Sequence, residues 1–440
     1  MSRQKQTSIG LVSAVAMGVG GMIGAGIFSI LGVIGDISGS AAWISFVIAG
    51  LLALACAHSF AKLGVAFPSA GGPVEFLVRG LGTNLLSGTL NIMLWAGYLL
   101  ALALYASAFS GYANALFHGP DSLQPLIAVG IVAMFLLLNL LGSAAVGKAE
   151  GVIVGVKLVI LLGFVAVTAF SIKPELLAPS EWKPARSIAF SVGVTFLAFE
   201  GFGLVTNAAA DMKNTARTLP RAIYLSIAIA MVVYVLVAMA TFGSLSAKEI
   251  SEASEYALAA AAKPALGQAG FTIMSIAALF STASAINATL FGAANISLQI
   301  AHDREMPTVF DKTLWHGGKV GLYVTAAIVA LLAATVPLDT IASTGSAAFL
   351  VIYASVCVAH LRLRSETRAA LWPIVLAILG CAAVLVLLMI HLIRNDRGSV
   401  VGFAALLVVS LIAELLYRRL RGPLKVIVQP TTRAPQQKGP

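Results

Sequence analysis

Long runs of apolar residues recur along the whole chain, and short polar segments separate them. Most runs reach the ~20 residues that an α-helix needs to cross about 30 Å of hydrocarbon. Inside a bilayer the backbone must satisfy its own hydrogen bonds, and runs of this length favour helices. Because 59% of the 440 residues are hydrophobic and only 10% are charged, too little charge remains to cover soluble domains. We therefore predict an all-α integral membrane protein.

Charged residues, prolines and glycine clusters divide the sequence into twelve predicted transmembrane helices. The third and eighth apolar runs exceed one crossing, so we expect those helices to tilt or to extend into a loop. The first run is too long for a signal peptide, and we expect it to be retained as a helix. The predicted spans are residues 9–35, 41–66, 84–117, 123–143, 147–171, 187–210, 220–244, 267–300, 320–337, 340–361, 370–393 and 399–417.

Basic residues concentrate on one side of this predicted topology. That side holds both termini and 20 of the 28 Lys and Arg residues, whereas the other side holds 7. The positive-inside rule then predicts that both termini are cytoplasmic and that the protein lies in the plasma (inner) membrane. This basic face, which would lie against anionic lipid, accounts for the formal net charge of +10. Nucleic acid is therefore not an expected partner.

Three polar segments lie outside the predicted spans. The loop that begins at Phe67 contains a short amphipathic stretch, which predicts an interfacial helix on the cytoplasmic side. The loop with Glu249, Glu252 and Glu255 is predicted to form a solvated external cap. Residues 421–440 are polar and rich in Pro and Gln, so we expect a disordered cytoplasmic tail.

The first predicted span has an unusual density of glycine in the stretch GVGGMIGAGIF. Its glycines are Gly18, Gly20, Gly21, Gly24 and Gly26. One interpretation is close packing of neighbouring helices through small residues. The other is a broken helix with unwound backbone at membrane depth, which is tolerated only where it is buried in protein or lines a cavity.

The sixth predicted span contains a second interruption, in the stretch FEGFG. Paired interruptions in corresponding positions are typical of the substrate site of a transporter. Half-helix N-termini attract a carboxylate, and free carbonyls at Val19–Gly20 and Phe199–Glu200 accept an ammonium group, so the pair suits an amino acid. Core packing is the alternative for the aromatic side chains. The residues predicted to bind substrate are Gly20, Gly21, Met22, Ile23, Gly24, Ala25, Gly26, Phe199, Glu200, Gly201 and Phe202.

Few ionisable side chains fall inside the predicted spans; the candidates are Lys157, Glu200 and His58. A charged group at the bilayer centre costs about 2.5–3.5 kcal/mol even on insertion scales, so such residues are functional candidates. Lys157 is either a proton carrier or a permanently paired structural residue. Glu200 lines the pocket, pairs with a cation or packs in its protonated form, and His58 is interpreted as a polar packing residue.

The eighth predicted span carries three hydroxyl side chains in the stretch FSTASAINATLFGAAN, namely Ser281, Thr282 and Ser284. Each hydroxyl either bonds to the preceding helical turn or faces Lys157 or a cation site. The sequence alone leaves both interpretations open.

Long stretches of the chain resemble the amino acid–polyamine–organocation (APC) transporter superfamily, and within it the ApcT type of proton-coupled, broad-specificity amino-acid transporter. The resemblance implies a LeuT-type core of five plus five helices in inverted repeats, with helices 1 and 6 broken. It places repeat one at about 9–171, repeat two at about 187–361 and two accessory helices at about 370–417. The stretches that carry it are MIGAGIFSI, GSAAVGKAEGVIVGVKLVIL, GFGLVTNAAADMKNTARTLPRAI, EASEYALAAAAKP and LFSTASAINATLFGAAN.

The resemblance also implies how transport is coupled. In this superfamily a lysine of the fifth span occupies the place that a sodium ion takes in sodium-coupled carriers. That role falls on Lys157, and its implied neighbours are Gly20, Ser281, Thr282 and Ser284. The acidic Glu200 departs from the ApcT pattern, which leaves open a cationic substrate or a second proton site.

The leading hypothesis is a secondary transporter that imports amino acids with protons and needs no cofactor or metal. An amino acid or polyamine exchanger is the alternative within the class. A channel would need a continuous polar pore, which the spans lack. An enzyme would need a nucleophile with a base or a metal cluster, and neither the histidines nor Cys56, Cys357 and Cys381 have such spacing. A P-loop is absent, which disfavours an ATP-driven pump. Oligomeric state is left open.

Overall fold

The computed structural model describes residues 9–23, 26–141, 146–302, 308–314 and 318–421. Within these ranges the protein is almost entirely helical, and strand-like pairing is limited to isolated bridges. The all-α prediction is therefore confirmed. The α-helices are α1 (Leu11–Ile23), α2 (Gly26–Ser38), α3 (Ala42–Ala66), α4 (Pro73–Leu81), α5 (Leu85–Phe117), α6 (Gln124–Leu141), α7 (Val146–Thr168), α8 (Ala185–Thr195), α9 (Thr215–Ser244), α10 (Ala247–Glu252), α11 (Ala257–His302), α12 (Val320–Thr335), α13 (Leu338–Arg362), α14 (Arg364–Thr367), α15 (Leu371–Asn395) and α16 (Arg397–Arg421).

Eleven helical segments of the described chain are long and apolar enough to cross a membrane. One segment comprises α1 and α2 together, and another comprises α8 and the 3₁₀ helix Phe196–Asp211 that follows it. Helix α12 is apolar but has only 16 residues, fewer than the ~20 that a perpendicular crossing needs. The protein is thus a multi-pass membrane protein, while the count of twelve spans and the inverted repeat stay predictions.

The two longest apolar runs form helices of different shape. Helix α5 is continuous over 33 residues and begins with a capping box, in which Asn84 and Ser87 satisfy each other's backbone N–H groups. Helix α11 contains a bend at Gly267, whose φ of 61° lies in the left-handed region that favours glycine. The bend separates a ten-residue helical piece, residues 257–266, from the helix that matches the predicted eighth span.

The helices pack in two groups. In one group, α9 and the 3₁₀ helix each contact both α1 and α3, and in the other α5, α6, α11 and α12 contact one another. Helix α7 contacts α1, α9 and α11, so it bridges the two groups. Helix α13 contacts α5, α3 and α15.

The polar connections are only partly as predicted. The amphipathic stretch after Phe67 forms α4, but its apolar face packs against α5 and α13 of the protein itself. In the acidic loop, Glu249 and Glu252 are exposed as expected, whereas the Glu255 side chain packs against Gly111 of α5 and is partly buried. The prediction of a solvated cap is therefore wrong at Glu255. The predicted tail lies outside the described residues from position 422 onward.

Candidate substrate site

The helices of the first and sixth predicted spans contact each other backbone to backbone. A Cβ atom built on Gly201 would lie 2.5 Å from the carbonyl carbon of Gly21, so only glycine permits this approach. Farther along the same contact, a Cβ on Gly26 would lie 2.9 Å from the Cα of Ala198. The close-packing interpretation of the glycine-rich stretch therefore applies at Gly21 and Gly26. Gly24 and Ala25 lie between α1 and α2, outside the described residues, so the broken-helix interpretation stays a prediction.

The residues predicted to bind substrate in the first span lie on both sides of that gap. Gly20, Gly21, Met22 and Ile23 belong to α1, and Gly26 is the first residue of α2. The carbonyl of Ile23 accepts a hydrogen bond of 3.3 Å from the Ser281 hydroxyl of α11. This bond connects the first predicted span to the eighth.

The second interruption is a 16-residue 3₁₀ helix that contains Phe199, Glu200, Gly201 and Phe202. Runs of 3₁₀ helix longer than three or four residues are uncommon, because their hydrogen-bond geometry is poor and their side chains eclipse. A long run inside a helix is typical of a hinge or a strained segment. The prediction that the sixth span departs from α-helix at these residues is confirmed.

Three tyrosines from other helices hold this 3₁₀ segment. The Tyr234 hydroxyl donates a 3.0 Å hydrogen bond to the Ala198 carbonyl, and the Tyr353 hydroxyl donates to the Glu200 carbonyl. The Tyr105 hydroxyl donates a 3.1 Å hydrogen bond to Oε1 of Glu200. None of these tyrosines was predicted to be a site residue. The sequence feature that could have identified them is a tyrosine in the middle of an apolar run, because its buried hydroxyl needs a hydrogen-bond partner inside the protein.

Glu200 is 1% exposed, and its second carboxyl oxygen, Oε2, is buried without a hydrogen-bond partner among the described residues. Its neighbours Phe199 and Phe202 are completely buried. Phe199 packs edge-on against Tyr234, and Phe202 packs edge-on against Tyr353. The two phenylalanines thus form part of the aromatic core, while Glu200 adds an incompletely satisfied acidic group to it.

The predicted coupling residues lie on α1, α7 and α11, three helices that contact one another. Lys157 is 4% exposed on α7, which packs against both α1 and α11. Ser281 bonds to the end of α1, as described above. Thr282 instead donates a 2.7 Å bond to the Ala278 carbonyl one turn earlier, which is the alternative that the sequence left open. Ser284 is half-buried on the same helix.

Other buried ionisable groups lie away from the interruptions. His58 of α3 lies beside His360 of α13, with ring centroids 6.2 Å apart. Glu414 of α16 is 1% exposed and forms an ion pair with Arg418 one turn later. Neither His360 nor Glu414 was predicted from the sequence to be a functional residue. The described residues contain no group of three or more His, Cys, Asp or Glu side chains that is arranged to hold a metal ion.

Comparison with known proteins agrees with this architecture. The family model described as amino acid permease matches residues 9–413. An uncharacterised protein of Methanocaldococcus jannaschii, MJ0609, is 39% identical over 94% of this chain and 96% of its own. The inner membrane transport protein YbaT of Escherichia coli is 34% identical over 93% of this chain and 96% of its own. A crystal structure of the Eremococcus coleocola manganese transporter shares the fold, with a TM-score of 0.62 and 16% identity over 93% of this chain and 94% of that one.

Proposed function

Because the chain belongs to the amino acid permease family of multi-pass membrane transporters, we propose that it imports amino acids together with protons and without sodium. The observation that carries this proposal is the close contact between the first and sixth predicted spans, where Gly21 meets Gly201 and Ser281 bonds to the Ile23 carbonyl. Ends of interrupted helices are where transporters of this architecture hold substrates and ions. In this proposal the protein lies in the plasma membrane with both termini in the cytoplasm.

The substrate would bind by its two charged groups. In this proposal helix 1 is broken, and the half-helix after the break presents free N–H groups and a partial positive charge to the carboxylate of an amino acid. The carbonyls of Ile23 and Ala198 accept bonds from hydroxyl groups in this structure. A substrate ammonium group can replace those hydroxyl donors at little cost, because one hydrogen bond is exchanged for another. A neutral amino acid therefore needs no charged side chain at the site.

Proton coupling is assigned to Lys157. Its side chain is buried on the helix that bridges the two packing groups, and that helix contacts both α1 and α11. A protonated amine at this place supplies the positive charge that a sodium ion supplies in sodium-coupled carriers. Loss of the proton toward the cytoplasm would remove that charge and free the two groups to move relative to each other. This movement is the alternating-access step of the proposal.

Uptake of a labelled neutral amino acid into proteoliposomes tests the proposal. An inward proton gradient is expected to drive accumulation equally in sodium and in choline buffer. The Lys157→Ala variant is expected to bind substrate while it loses gradient-driven accumulation. A lipid-facing control is Val159→Ala, because Val159 is 72% exposed on the same helix. A sodium requirement, or a response to the proton gradient that Lys157→Ala leaves unchanged, would exclude this coupling mechanism.

A second candidate function is exchange of cationic substrates such as polyamines. The observation in its favour is the Oε2 oxygen of Glu200 in the 3₁₀ helix, which has no hydrogen-bond partner within the part of the chain that the structure describes. A buried carboxylate oxygen without a partner is a natural acceptor for a second ammonium group. Calorimetry with a panel of amino acids and polyamines distinguishes the two functions. Polyamine binding that Glu200→Gln abolishes would favour the exchanger, whereas unchanged binding of neutral amino acids in that variant favours the symporter.

A further inference from the structure

Two histidine side chains meet where α3 contacts α13. The rings of His58 and His360 have centroids 6.2 Å apart. His360 is completely buried, and His58 is half-buried. Because the two residues belong to helices that are distant in the chain, only the tertiary structure brings them together.

Each of these rings has one nitrogen that is buried and unsatisfied. His58 Nε2 and His360 Nδ1 have no hydrogen-bond partner among the residues that the structure describes. Buried polar atoms in folded proteins are nearly always satisfied, by the protein, by water or by a ligand. Two unsatisfied nitrogens on adjacent rings therefore point to one ligand that both of them share.

The environment of His360 determines which of its nitrogens carries the proton. Its Nε2 atom lies 2.9 Å from the hydroxyl oxygen of Thr367. The same hydroxyl has the carbonyls of Leu363 and Arg364 as acceptors, each at 3.3 Å. Because the hydroxyl hydrogen is directed to a carbonyl, the oxygen accepts the N–H of Nε2. Nδ1 then has a free lone pair, and this is the form of histidine that binds a metal ion.

The spacing of the rings suits a cation held between them. Zn²⁺ binds imidazole nitrogen at about 2.0–2.1 Å, which places the centroids of two ligating rings about 5–6.5 Å apart. The observed centroid distance of 6.2 Å lies within this range. No large movement of α3 against α13 is therefore needed to form the site.

We propose that His58 and His360 bind one divalent transition-metal cation such as Zn²⁺, with water as its remaining ligands. Imidazole nitrogen is a good ligand for these ions, whereas Mg²⁺ and Ca²⁺ prefer oxygen. Thr367 acts as a positioning residue that fixes the ring of His360, and the bound cation would tie α3 to α13. This inference is independent of the proposed transport mechanism, because metal binding is measured without transport.

One neighbouring charge opposes the cation. Lys62 lies one turn after His58 on α3 and interacts electrostatically with both rings. Its side chain is exposed, so water and salt screen its repulsion of a cation at the pair. Lys62→Gln is therefore expected to strengthen metal binding, which a purely structural histidine pair would not do.

Titration of the full-length purified protein with Zn²⁺, followed by calorimetry, tests the site in protein that carries no affinity tag. His58→Gln and His360→Gln each remove one ligand. The matched control is His391→Gln, because His391 is a half-buried histidine on α15 whose Nδ1 already bonds to Asn395. Mg²⁺ is the control ion, and thermal midpoints without metal check that each variant is folded.

The positioning role of Thr367 has its own pair of variants. Thr367→Val is expected to weaken zinc binding about tenfold, because loss of the hydrogen bond to a ligating histidine typically has an effect of this size. Thr335→Val is the control, since the Thr335 hydroxyl is exposed and bonds only within its own helix. An equal effect of the two substitutions would contradict the assigned role of Thr367.

Wild type and His391→Gln are expected to bind one zinc ion that both His58→Gln and His360→Gln fail to bind, and none of the proteins is expected to bind Mg²⁺ there. Because His58 is only half-buried, His58→Gln tests the site even if His360→Gln is unstable. Absence of zinc binding in the wild type would leave a buried water as the shared ligand and would overturn the proposal. Zinc binding that both variants retain would also overturn it.

Discussion

Two glutamates of this protein have the same burial and opposite surroundings. Glu200 and Glu414 are each 1% exposed within helical segments long enough to cross a membrane. Glu414 is compensated by Arg418 one turn away on the same helix. Glu200 receives one hydroxyl bond from Tyr105, and the Oε2 oxygens of both acids have no hydrogen-bond partner among the described residues. Burial alone therefore does not identify a functional acid.

The nearest partner differs in charge between the two sites. Arg418 places a positive charge beside the Glu414 carboxylate, which packs between α16 and α5. The described partner of the Glu200 carboxylate is a neutral hydroxyl. A buried carboxyl group without a cationic partner has a high free energy, which binding of a proton or a cation lowers. We therefore expect Glu200, rather than Glu414, to take part in the proposed transport.

Alanine substitutions at the glycines that lie beside the two acids should differ most in their effects on stability and uptake. Gly201→Ala is expected to abolish uptake and to destabilise the protein by more than the ~1–3 kcal/mol typical of overpacking, because its methyl group would meet the rigid backbone of Gly21. Gly88→Ala is expected to cost less, because its methyl group meets only the side-chain tip of Glu414. Thermal unfolding and uptake per folded protein measure both. Gly163→Ala is the control, since nothing lies within 4 Å of its added methyl group. Equal losses in the first two variants would contradict this account.

Neutralising each acid should separate stability from function. Glu414→Gln removes the partner of Arg418 and is expected to lower stability by about 1–3 kcal/mol, with transport per folded protein nearly unchanged. Glu200→Gln keeps the acceptor for the Tyr105 hydroxyl and removes an uncompensated acid. Its stability is expected to equal or exceed that of wild type, while its transport changes in substrate preference or pH dependence. Chemical denaturation paired with proteoliposome assays checks both. The reverse pattern would assign the structural role to Glu200.

Removing the hydroxyl of Tyr105 should have an intermediate effect. Tyr105→Phe leaves both oxygens of Glu200 without a donor and is expected to destabilise the protein by about 1–2 kcal/mol. It should also shift the pH profile of uptake, because the hydroxyl interacts with the acidic side chain. Tyr234→Phe is the matched control, since it removes a hydroxyl bond to the Ala198 carbonyl rather than to an acid. A pH profile that shifts equally in both variants would refute the assignment to Glu200.

Two glutamates of the segment between α9 and α11 should give the smallest effects, with opposite signs. Burial and the nearby Asp121 raise the pKa of Glu255, so its contribution to stability is present in acid and lost as pH rises through the folded-state pKa. Hydrogen bonds from Ser246 lower the pKa of Glu249, so its contribution is present at neutral pH and lost in acid.

Thermal midpoints across a pH series test this contrast. At neutral pH, Glu255→Gln is expected to raise the midpoint, whereas Glu249→Gln is expected to lower it. Both differences from wild type should disappear as the pH falls below the ordinary range of a glutamate. Midpoints that move in the same direction in the two variants would contradict the assigned environments.

Much of the fold could be predicted from the sequence because membrane helices are encoded locally. Each membrane helix must satisfy its own backbone hydrogen bonds. The extent of an apolar run therefore predicts where most helices begin and end to within a few residues. The departure of the sixth span from α-helix at Glu200 and Gly201 was predicted correctly. Helix α1 contains Gly20 and Gly21, because a helix with several glycines persists when packing supports it. The free-energy cost of a glycine inside a helix is small compared with the packing energy of the contacts around it.

The partners of the buried polar groups were beyond the reach of the sequence. Ser281 meets Ile23 across 258 positions of the chain, while Thr282, its immediate neighbour, bonds within its own turn. The two residues have the same chemistry and a similar sequence context. Only the rotation of α11 against α1 decides which of the two hydroxyls reaches the Ile23 carbonyl.

The sequence by itself determined the solvent of this protein, its helical class and the departure of the sixth span from α-helix, because composition and local spacing decide those properties. The tertiary structure decided that Gly21 and Gly201 touch, that Tyr105 reaches Glu200, and that Arg418 lies beside Glu414. Each of these depends on which helix faces which. The physical reason is that the free energy of a buried polar group is set by its nearest partners in space, and most of those partners are distant in the chain.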